Sequence, residues 1–395
     1  MPEPPRSGQA RLLEAVRSSK RTSGFTHNFY RYPARFSAEF AREAIRYFTK
    51  KNDVVLDPFM GGGTTAVEAL ALGRRFIGND INQLAHFVTS AKSTAISTGD
   101  ERAIAAWASQ LPALVHLHRP EPADDYGQAY KRHVPWQLRK TISQAMASLE
   151  TLSTERQRSF ARCSLLNTAQ WALDCKASVP SKEEFLLHHA GALSEMLAGM
   201  QQYRTELNRF GITIRGVNSR RLLISSSADK LHEWKSAKTL GAPRLLLTSP
   251  PYLGVHVLYH RWQIQGRRET SAPYWIAGKS DGHTGVYYTF ADRRATAVEK
   301  YMSKLKACFQ SAIHLLDKRS HVVQLVAFSN AEIQMPAYLR ALDEAGLQSC
   351  DVFQEVAGST QVERVVPNRR WYALTSKQSN SSKEFLLVHR PKSRG

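Results

Sequence analysis

The stretch DVVLDPFMGGGTTAVEALALGRRFIGND, residues 53–80, leaves a chain few choices. A short apolar run, Asp53–Phe59, meets three consecutive glycines. An apolar-periodic helix is expected from Thr64 to Leu72, closed by Gly73. A strand at Arg74–Asn82 and a helix over NQLAHFVTSAKSTA follow. This β-α-β-α order argues for an α/β fold with a parallel sheet and helices on its faces. Glycines at that turn let the backbone approach a ligand and let the helix start tightly against the strand. Asp80 ends the second strand 23 residues beyond Asp57, where a doubly wound fold sets a carboxylate against ribose hydroxyls. No Lys-Ser/Thr follows the glycines, so a phosphate-cradling loop is not implied.

Over residues 101–219 the pattern changes. ERAIAAWASQLPALVHLH, WQLRKTISQAMASLETL and EEFLLHHAGALSEMLAGMQQYRTELNRF all carry helical periodicity, and almost nothing alternates like a strand. This reads as a helical insertion. Strands resume at Arg220–Asp229 and at PRLLLTSPPY. The stretch 253–292 is rich in Gly, Tyr and Arg with little periodicity. A helix over Arg293–Leu316, a strand His321–Phe328, a helix MPAYLRALDEAG and two strands, LQSCDVFQEVA and KEFLLVHRP, complete the chain. The expected organisation is a flexible N-terminus (1–24), a main domain (25–100 and 220–395), the insertion (101–219) and a loop region (253–292).

At 42% hydrophobic and 22% charged residues, the chain can build an ordinary core. No apolar run is long enough to span a bilayer, and residues 1–24 hold no apolar signal core, so a cytoplasmic protein with no membrane partner is expected. Cys163, Cys175, Cys308 and Cys350 form no CxxC pair, and no histidine cluster has ligand spacing. No metal site is expected, and the cysteines read as buried free thiols. His188 and His189, inside a helix, read as structural. Lys plus Arg is 54 against 34 Asp plus Glu, a net charge of +20, which favours a polyanionic partner, nucleic acid first.

LLLTSPPYLG, Leu245–Gly254, ends an apolar strand on two prolines and a tyrosine. Neither proline can donate a ladder hydrogen bond, so Pro250 and Pro251 stop the strand and stiffen the turn. Such a turn at the carboxyl end of a parallel strand faces the ligand crevice. Thr248, Ser249 and the Pro250 carbonyl offer acceptors to an amino group, and Tyr252 offers a face for stacking. Together they make a seat for a planar base bearing an exocyclic NH₂.

DPFMGGGTT, GNDIN and TSPPY together resemble the amino-group DNA methyltransferases that use S-adenosylmethionine. That family carries D-P-F-x-G-x-G-T-T, an acidic residue after the second strand, and D/N/S-P-P-Y/F/W. HNFYRYPARFSAEFAREAI (His27–Ile45) looks like its upstream cofactor motif. The resemblance covers residues 25–95 and 220–390 and omits the insertion. It implies a doubly wound, mostly parallel, seven-stranded Rossmann-like sheet. It implies S-adenosylmethionine as cofactor, with Asp57 near the methionine ammonium and Pro58, Phe59, Gly61, Gly63 and Thr64 shaping that pocket. Asp80 would hold the ribose, Asp229 would lie near the adenine, and His27, Tyr32, Pro33 and Phe36 would close the pocket. Ser249, Pro250, Pro251 and Tyr252 would hold a base flipped out of double-stranded DNA. A bacterial, nucleoid-associated enzyme is implied, with a restriction endonuclease as candidate partner.

T-S-P-P-Y mostly accompanies cytosine-N4 methylation in this family, whereas D-P-P-Y and N-P-P-Y mostly accompany adenine-N6, so cytosine is the first expectation. The motif order departs from a common cytosine-N4 arrangement, because the cofactor motif precedes T-S-P-P-Y. Carbon-5 cytosine chemistry needs a cysteine nucleophile; the family that performs it keeps that cysteine after a proline, and no cysteine here follows one. Alternatives are an RNA amino methyltransferase, an inactive DNA-binding subunit and a nicotinamide-dependent oxidoreductase, for which T-S-P-P-Y has no role. Three basic regions could contact DNA. The first is the stretch with His256, Tyr259, His260, Arg261, Trp262, Arg267, Arg268, Tyr274, Trp275, Tyr287, Tyr288, Arg293 and Arg294. The second is the insertion, through Lys131, Arg132, Arg139, Lys140, Arg156, Arg158 and Arg162. The third is VERVVPNRRWYA, through Arg364, Arg369, Arg370 and Trp371.

Overall fold

The computed structural model describes residues 7–18, 23–32, 36–252, 261–266, 268–282, 297–328, 330–353, 362–366 and 382–392. Helix α1 (Gly8–Arg17) opens the described chain, capped where Ser7 Oγ accepts from Ala10 N, and packs on α2 (Ala38–Phe48). Residues 8–17 of the N-terminus expected to be flexible over 1–24 are thus helical and packed. The segment is polar on average, yet Leu12, Leu13 and Val16 form one buried stripe on the helix.

Strand β1 (Val54–Asp57), α3 (Thr64–Ala71), β2 (Arg75–Asn79) and α4 (Gln83–Ser93) follow as expected. After the insertion come β3 (Arg221–Ile224) and β4 (Pro243–Thr248). A hairpin, β5 (Trp262–Ile264) and β6 (Arg268–Thr270), stands apart from the main sheet. The remaining strands are β7 (His321–Ala327), β8 (Leu347–Ser349), β9 (Val362–Val366) and β10 (Ser382–Pro391). The main sheet runs β3-β2-β1-β4-β7-β10-β8. Pairs β3–β2, β2–β1, β1–β4 and β4–β7 are parallel, and β10 is antiparallel to its neighbours. This is the mostly parallel sheet of seven positions that the sequence implied. Strand β9 adds an eighth, sharing one edge of β10 with β8.

Pleating sends alternate residues to opposite faces. Val55, Phe76, Leu245, Leu247 and Val323 enter the core shared with α1 to α4. Val54, Leu56, Ile77, Leu246 and Val322 enter a second core, with Leu305 and Phe309 in the chain's helix at Ala297–Ile313 and Tyr338 and Leu342 in that at Ala331–Glu344. The sheet is therefore covered on both sides.

The insertion forms α5 (Thr98–Leu114), α6 (Trp136–Ala147), α7 (Glu155–Leu173), α8 (Lys182–Arg209) and a short α9 (Gly216–Ser219). Capping boxes Ser97/Asp100, Thr154/Gln157 and Ser181/Glu184 start three of them. The insertion shares the core of the first face. Phe160 of α7 meets Phe29 edge-on at 5.2 Å, and Gln170 brackets Arg31, accepting from its N–H at 3.0 Å and donating to its carbonyl at 2.9 Å. A Cβ on Gly199 of α8 would sit 2.0 Å from the Phe25 carbonyl, so only glycine permits that approach. His189 donates to or accepts from Ser164 at 2.9 Å, and burial lowers its pKa to about 4, which agrees with a structural histidine.

Three of the residues expected to face DNA are buried instead. Trp262, Tyr274 and Trp275 are fully buried. Their polar atoms donate to Tyr30 Oη (3.1 Å), Asn82 Oδ1 (3.0 Å) and Asp124 Oδ2 (2.9 Å), and Arg261 donates to Asp281 at 2.8 Å. With α10 (Ala272–Ala277), this segment is a buried strap, pinned to the insertion where Cys175 N donates to the Gln263 carbonyl at 2.8 Å. His256, Tyr259, His260, Arg267, Tyr287, Tyr288, Arg293 and Arg294 lie outside the described residues, as do Arg369, Arg370 and Trp371.

In the insertion, Lys131 pairs with Glu121 and Asp124, Arg139 with Glu121, Arg156 with Asp100 and Arg158 with Glu155. Lys140 and Arg162 donate to the Leu117 and Ile276 carbonyls, and Arg132 is exposed. Sequence spacing cannot tell a cation for phosphate from one tied to its own fold. Cys163 and Cys308 are buried, but Cys175 is exposed, at φ +60° just past α7. Among the described residues no helix is long and apolar enough to cross a membrane. Trp275→Ala should lower the unfolding free energy by about 3–5 kcal/mol. An unchanged urea midpoint would return that ring to the surface.

Candidate active site

Strand β1 ends on Asp57, and its carboxylate joins three segments. Oδ1 accepts from Phe59 N at 3.1 Å and from Thr248 Oγ1 of β4 at 2.8 Å; Oδ2 accepts from Thr65 Oγ1 of α3 at 2.7 Å. The group is buried, and burial pushes its pKa up to about 6 against those three donors. The chain then turns through Pro58, which is buried, and Phe59, which is partly exposed. Gly61 (φ +46°) and Gly63 (φ +75°) adopt the left-handed backbone that glycine alone takes readily. A Cβ on Gly62 would lie 2.6 Å from the Tyr32 Cβ, so Tyr32 rests directly on the turn. From α4, Thr89 donates to the Gly61 carbonyl at 3.1 Å and the buried Lys92 to the Gly62 carbonyl at 2.8 Å.

Asp80 follows β2. Its Oδ2 accepts from Gly61 N and its Oδ1 from Asn82 N, both at 2.9 Å. It is half-buried, and burial raises its pKa to about 6. Phe36 is buried edge-on to Phe40 at 5.4 Å. Pro33 lies outside the described residues. His27 does not line the crevice: it is fully buried, its Nε2 lies 2.7 Å from Glu68 Oε1 of α3, and Arg42 grips the same carboxylate at 2.7 and 3.0 Å. Burial alone would raise Glu68, but the His27 and Arg42 hydrogen bonds hold it below the usual carboxylate range. A motif histidine read as a pocket wall is thus a brace behind α3. Asp229 sits exposed in a short 3₁₀ turn, Ala228–Glu233, past the carboxyl end of β3.

The T-S-P-P-Y turn leaves β4, which lies beside β1 with Leu246 opposite Leu56. The Thr248–Asp57 hydrogen bond therefore ties the two motifs together at adjacent strand ends. Ser249 Oγ lies 3.1 Å from Tyr252 Oη, and Tyr252 Oη lies 3.2 Å from Glu384 Oε1 of β10. Tyr301, in the helix Ala297–Ile313 (α11), donates to the Pro251 carbonyl at 2.7 Å. Sequence reasoning missed Tyr301 and Glu384. Tyr301 carries no signal of its own, whereas Glu384 is a lone acid within the apolar strand KEFLLVHR.

The donor set suits S-adenosylmethionine. Two carboxylates stand at the ends of β1 and β2, and Asp57 has three of its roughly four acceptor positions filled, leaving one for an ammonium. The Thr64 hydroxyl at the start of α3 is buried and has no partner among the described residues. The glycine turn presents backbone where side chains would block approach. Among the described residues no group of His, Cys, Asp or Glu could hold a metal ion.

Comparison with known proteins bears on this half of the site. Residues 12–92 match the family model of the N6/N4 DNA methylases. Type II methyltransferase M.BsoBI of Geobacillus stearothermophilus is 39% identical over 84 residues, 21% of this chain and 16% of that protein. Type II methyltransferase M.MvaI of Kocuria varians is 38% identical over 78 residues, 19% of this chain and 17% of that protein. The orphan methyltransferase M.BamHII of Bacillus amyloliquefaciens is 39% identical over 54 residues, 14% of this chain and 20% of that protein. The chain thus matches a fifth or less of the length of each. A solved rRNA methyltransferase from Streptomyces viridochromogenes superposes over 91% of this chain and 89% of its own with 9% identity and a TM-score of 0.32, too loosely to bear on the fold. Residues 12–92, which carry most of α1, the glycine turn and Asp80, are thus the part of the chain that is similar to the N6/N4 DNA methylases.

Proposed function

We propose that this chain is a site-specific DNA methyltransferase that places a methyl group on the exocyclic amino nitrogen of a base turned out of the duplex, cytosine-N4 before adenine-N6. The observation that carries the reading is the 2.8 Å hydrogen bond from Thr248 to Asp57, which sets T-S-P-P-Y beside the DNA methylase turn. A bacterial restriction–modification or related defence role, in the cytoplasm and with or without a cognate endonuclease, follows from the same reading.

Asp57, Gly61, Gly63 and Thr64 would hold the methionine part of the cofactor, Asp80 the ribose, and Asp229 would stand on the adenine side. Tyr32 and Phe36 would cover it. When bound, S-adenosylmethionine supplies the electrophilic methyl group. The chain's task is alignment and an environment that frees the nitrogen lone pair. Ser249 Oγ and the Pro250 carbonyl accept from the amino N–H groups. Tyr252, tethered at its hydroxyl, keeps a ring face for the flipped base. Pro250 and Pro251, with Tyr301 on the Pro251 carbonyl, stiffen the turn so that these acceptors stand ready before substrate arrives.

Nucleoside mass spectrometry of unmethylated mixed-sequence DNA after incubation with the protein and S-adenosylmethionine tests the reading. N4-methylcytosine is expected. N6-methyladenine would keep the chemistry and change the base. Neither product with intact cofactor binding would turn attention to RNA or to an inactive subunit. Ser249→Ala should abolish transfer and spare cofactor binding, while Asp80→Ala should weaken cofactor binding, as calorimetry would report.

The pH dependence has a defined sign. Asp57 and Asp80 ionise near pH 6 in the fold, above the ordinary aspartate value of about 3.9. Their charged forms therefore oppose folding at neutral pH, and that penalty is relieved as pH falls from about 6 toward about 4. Cofactor binding uses the charged forms and should weaken over the same interval. Cofactor affinity unchanged from about pH 7 down to about pH 5 would remove both aspartates from that role.

A further inference from the structure

We propose that Glu384, on the last strand, sets the direction of the hydrogen bonds at the catalytic turn and thereby makes Ser249 an acceptor toward the incoming amino group. The inference rests on the role given to Ser249 above. Three contacts form one line: Ser249 Oγ to Tyr252 Oη at 3.1 Å, Tyr252 Oη to Glu384 Oε1 at 3.2 Å, and Glu384 Oε2 to Arg364 Nε at 2.7 Å. Glu384 is 1% exposed, and the Arg364 side chain 10%. They face each other directly across the β9–β10 ladder.

A carboxylate paired with a guanidinium is ionised and can only accept. Tyr252 has one hydroxyl hydrogen, so that hydrogen goes to Glu384. The Tyr252 oxygen then receives the single hydrogen of Ser249. What Ser249 has left for the crevice is lone pairs. An amino group donating N–H to those lone pairs carries more electron density on its nitrogen, which is what nucleophilic attack on a methyl group needs. Had the line ended in a neutral donor, every hydrogen could point the other way and Ser249 would present O–H to the base.

Strand pairing alone does not call for this ion pair. A well-packed apolar pair across the same ladder would hold β9 to β10 at least as well, because desolvating two charges offsets most of their attraction. Glu384 is a positioning residue: it acts through Tyr252 and touches neither base nor cofactor.

Glu384→Gln keeps the shape and tests the polarity. Arg364 requires an acceptor, so the glutamine oxygen turns to it and the amide NH₂ donates to Tyr252, reversing the line. The turnover number should fall on the order of 100-fold, with cofactor Kd and DNA KM nearly unchanged. In a Tyr252→Phe background the line is already cut, and adding Glu384→Gln should slow the enzyme no further. Combining Glu384→Gln with Arg364→Met frees the amide to show its oxygen to Tyr252 and should restore part of the lost rate. A merely structural pair would instead be damaged further by that second change. Wild-type turnover in Glu384→Gln, an equal slowing of the Tyr252→Phe enzyme, or no recovery in the Arg364→Met combination would each overturn the proposal. Failure of the wild-type protein to methylate any DNA would overturn the functional reading and this proposal together, whereas an active wild type with an unaffected Glu384→Gln overturns this proposal alone.

Discussion

The Asp57 carboxylate is where the molecule is fastened. It gathers a backbone N–H of its own turn, a hydroxyl from α3 and a hydroxyl from β4. Remove any one and a strand end, a helix start or the second motif loses its registration with the others. Burial works against the charge, and only the three donors make a buried carboxylate tolerable. The same group that the family resemblance sets at the methionine ammonium is thus first a joint. The site is assembled around a joint that burial strains electrostatically, which is how a fold keeps a carboxylate available in a dry place.

Legibility in the sequence followed the range of the interactions. The β1–turn–α3–β2 unit was readable because its determinants are local: apolar runs, positive-φ glycines, and an acid at the end of the second strand. The seven-position sheet followed once the resemblance of three motifs was in hand. What escaped depends on partners distant in sequence. Glu384 and Tyr301 reach the T-S-P-P-Y turn from β10 and α11. Within the basic and aromatic stretch, the described rings were misread for a related reason. Trp262 and Trp275 look like stacking groups until their ring nitrogens find Tyr30 and Asp124. Helix α1 was hidden by its polar mean, although its apolar stripe was there to be counted.

The insertion changes how the upstream segment, expected to be a cofactor motif, is understood. Phe29 packs against α7, Gln170 brackets Arg31, and Gly199 of α8 yields to the Phe25 carbonyl. Segment 25–32 therefore lies between the sheet helices and the insertion, and Tyr32 is pressed onto the glycine turn from above. In the insertion, Lys131, Arg139 and Arg156 pair with Glu121, Asp124 and Asp100, while Arg132 stays exposed. The insertion also holds in place the segment that rests on the glycine turn.

The strap after the catalytic turn has a mechanical consequence. An inserted subdomain that closes on a ligand like a jaw needs one root in the main fold and a far side free to swing. This insertion has its roots at α4 and β3, and its far side is stitched at Cys175 to the Gln263 carbonyl and at the Lys176 carbonyl to Gln265. Trp262 is clamped under the stitch. The insertion is therefore held at both of its chain ends and again at its far side, where a jaw would need to be free.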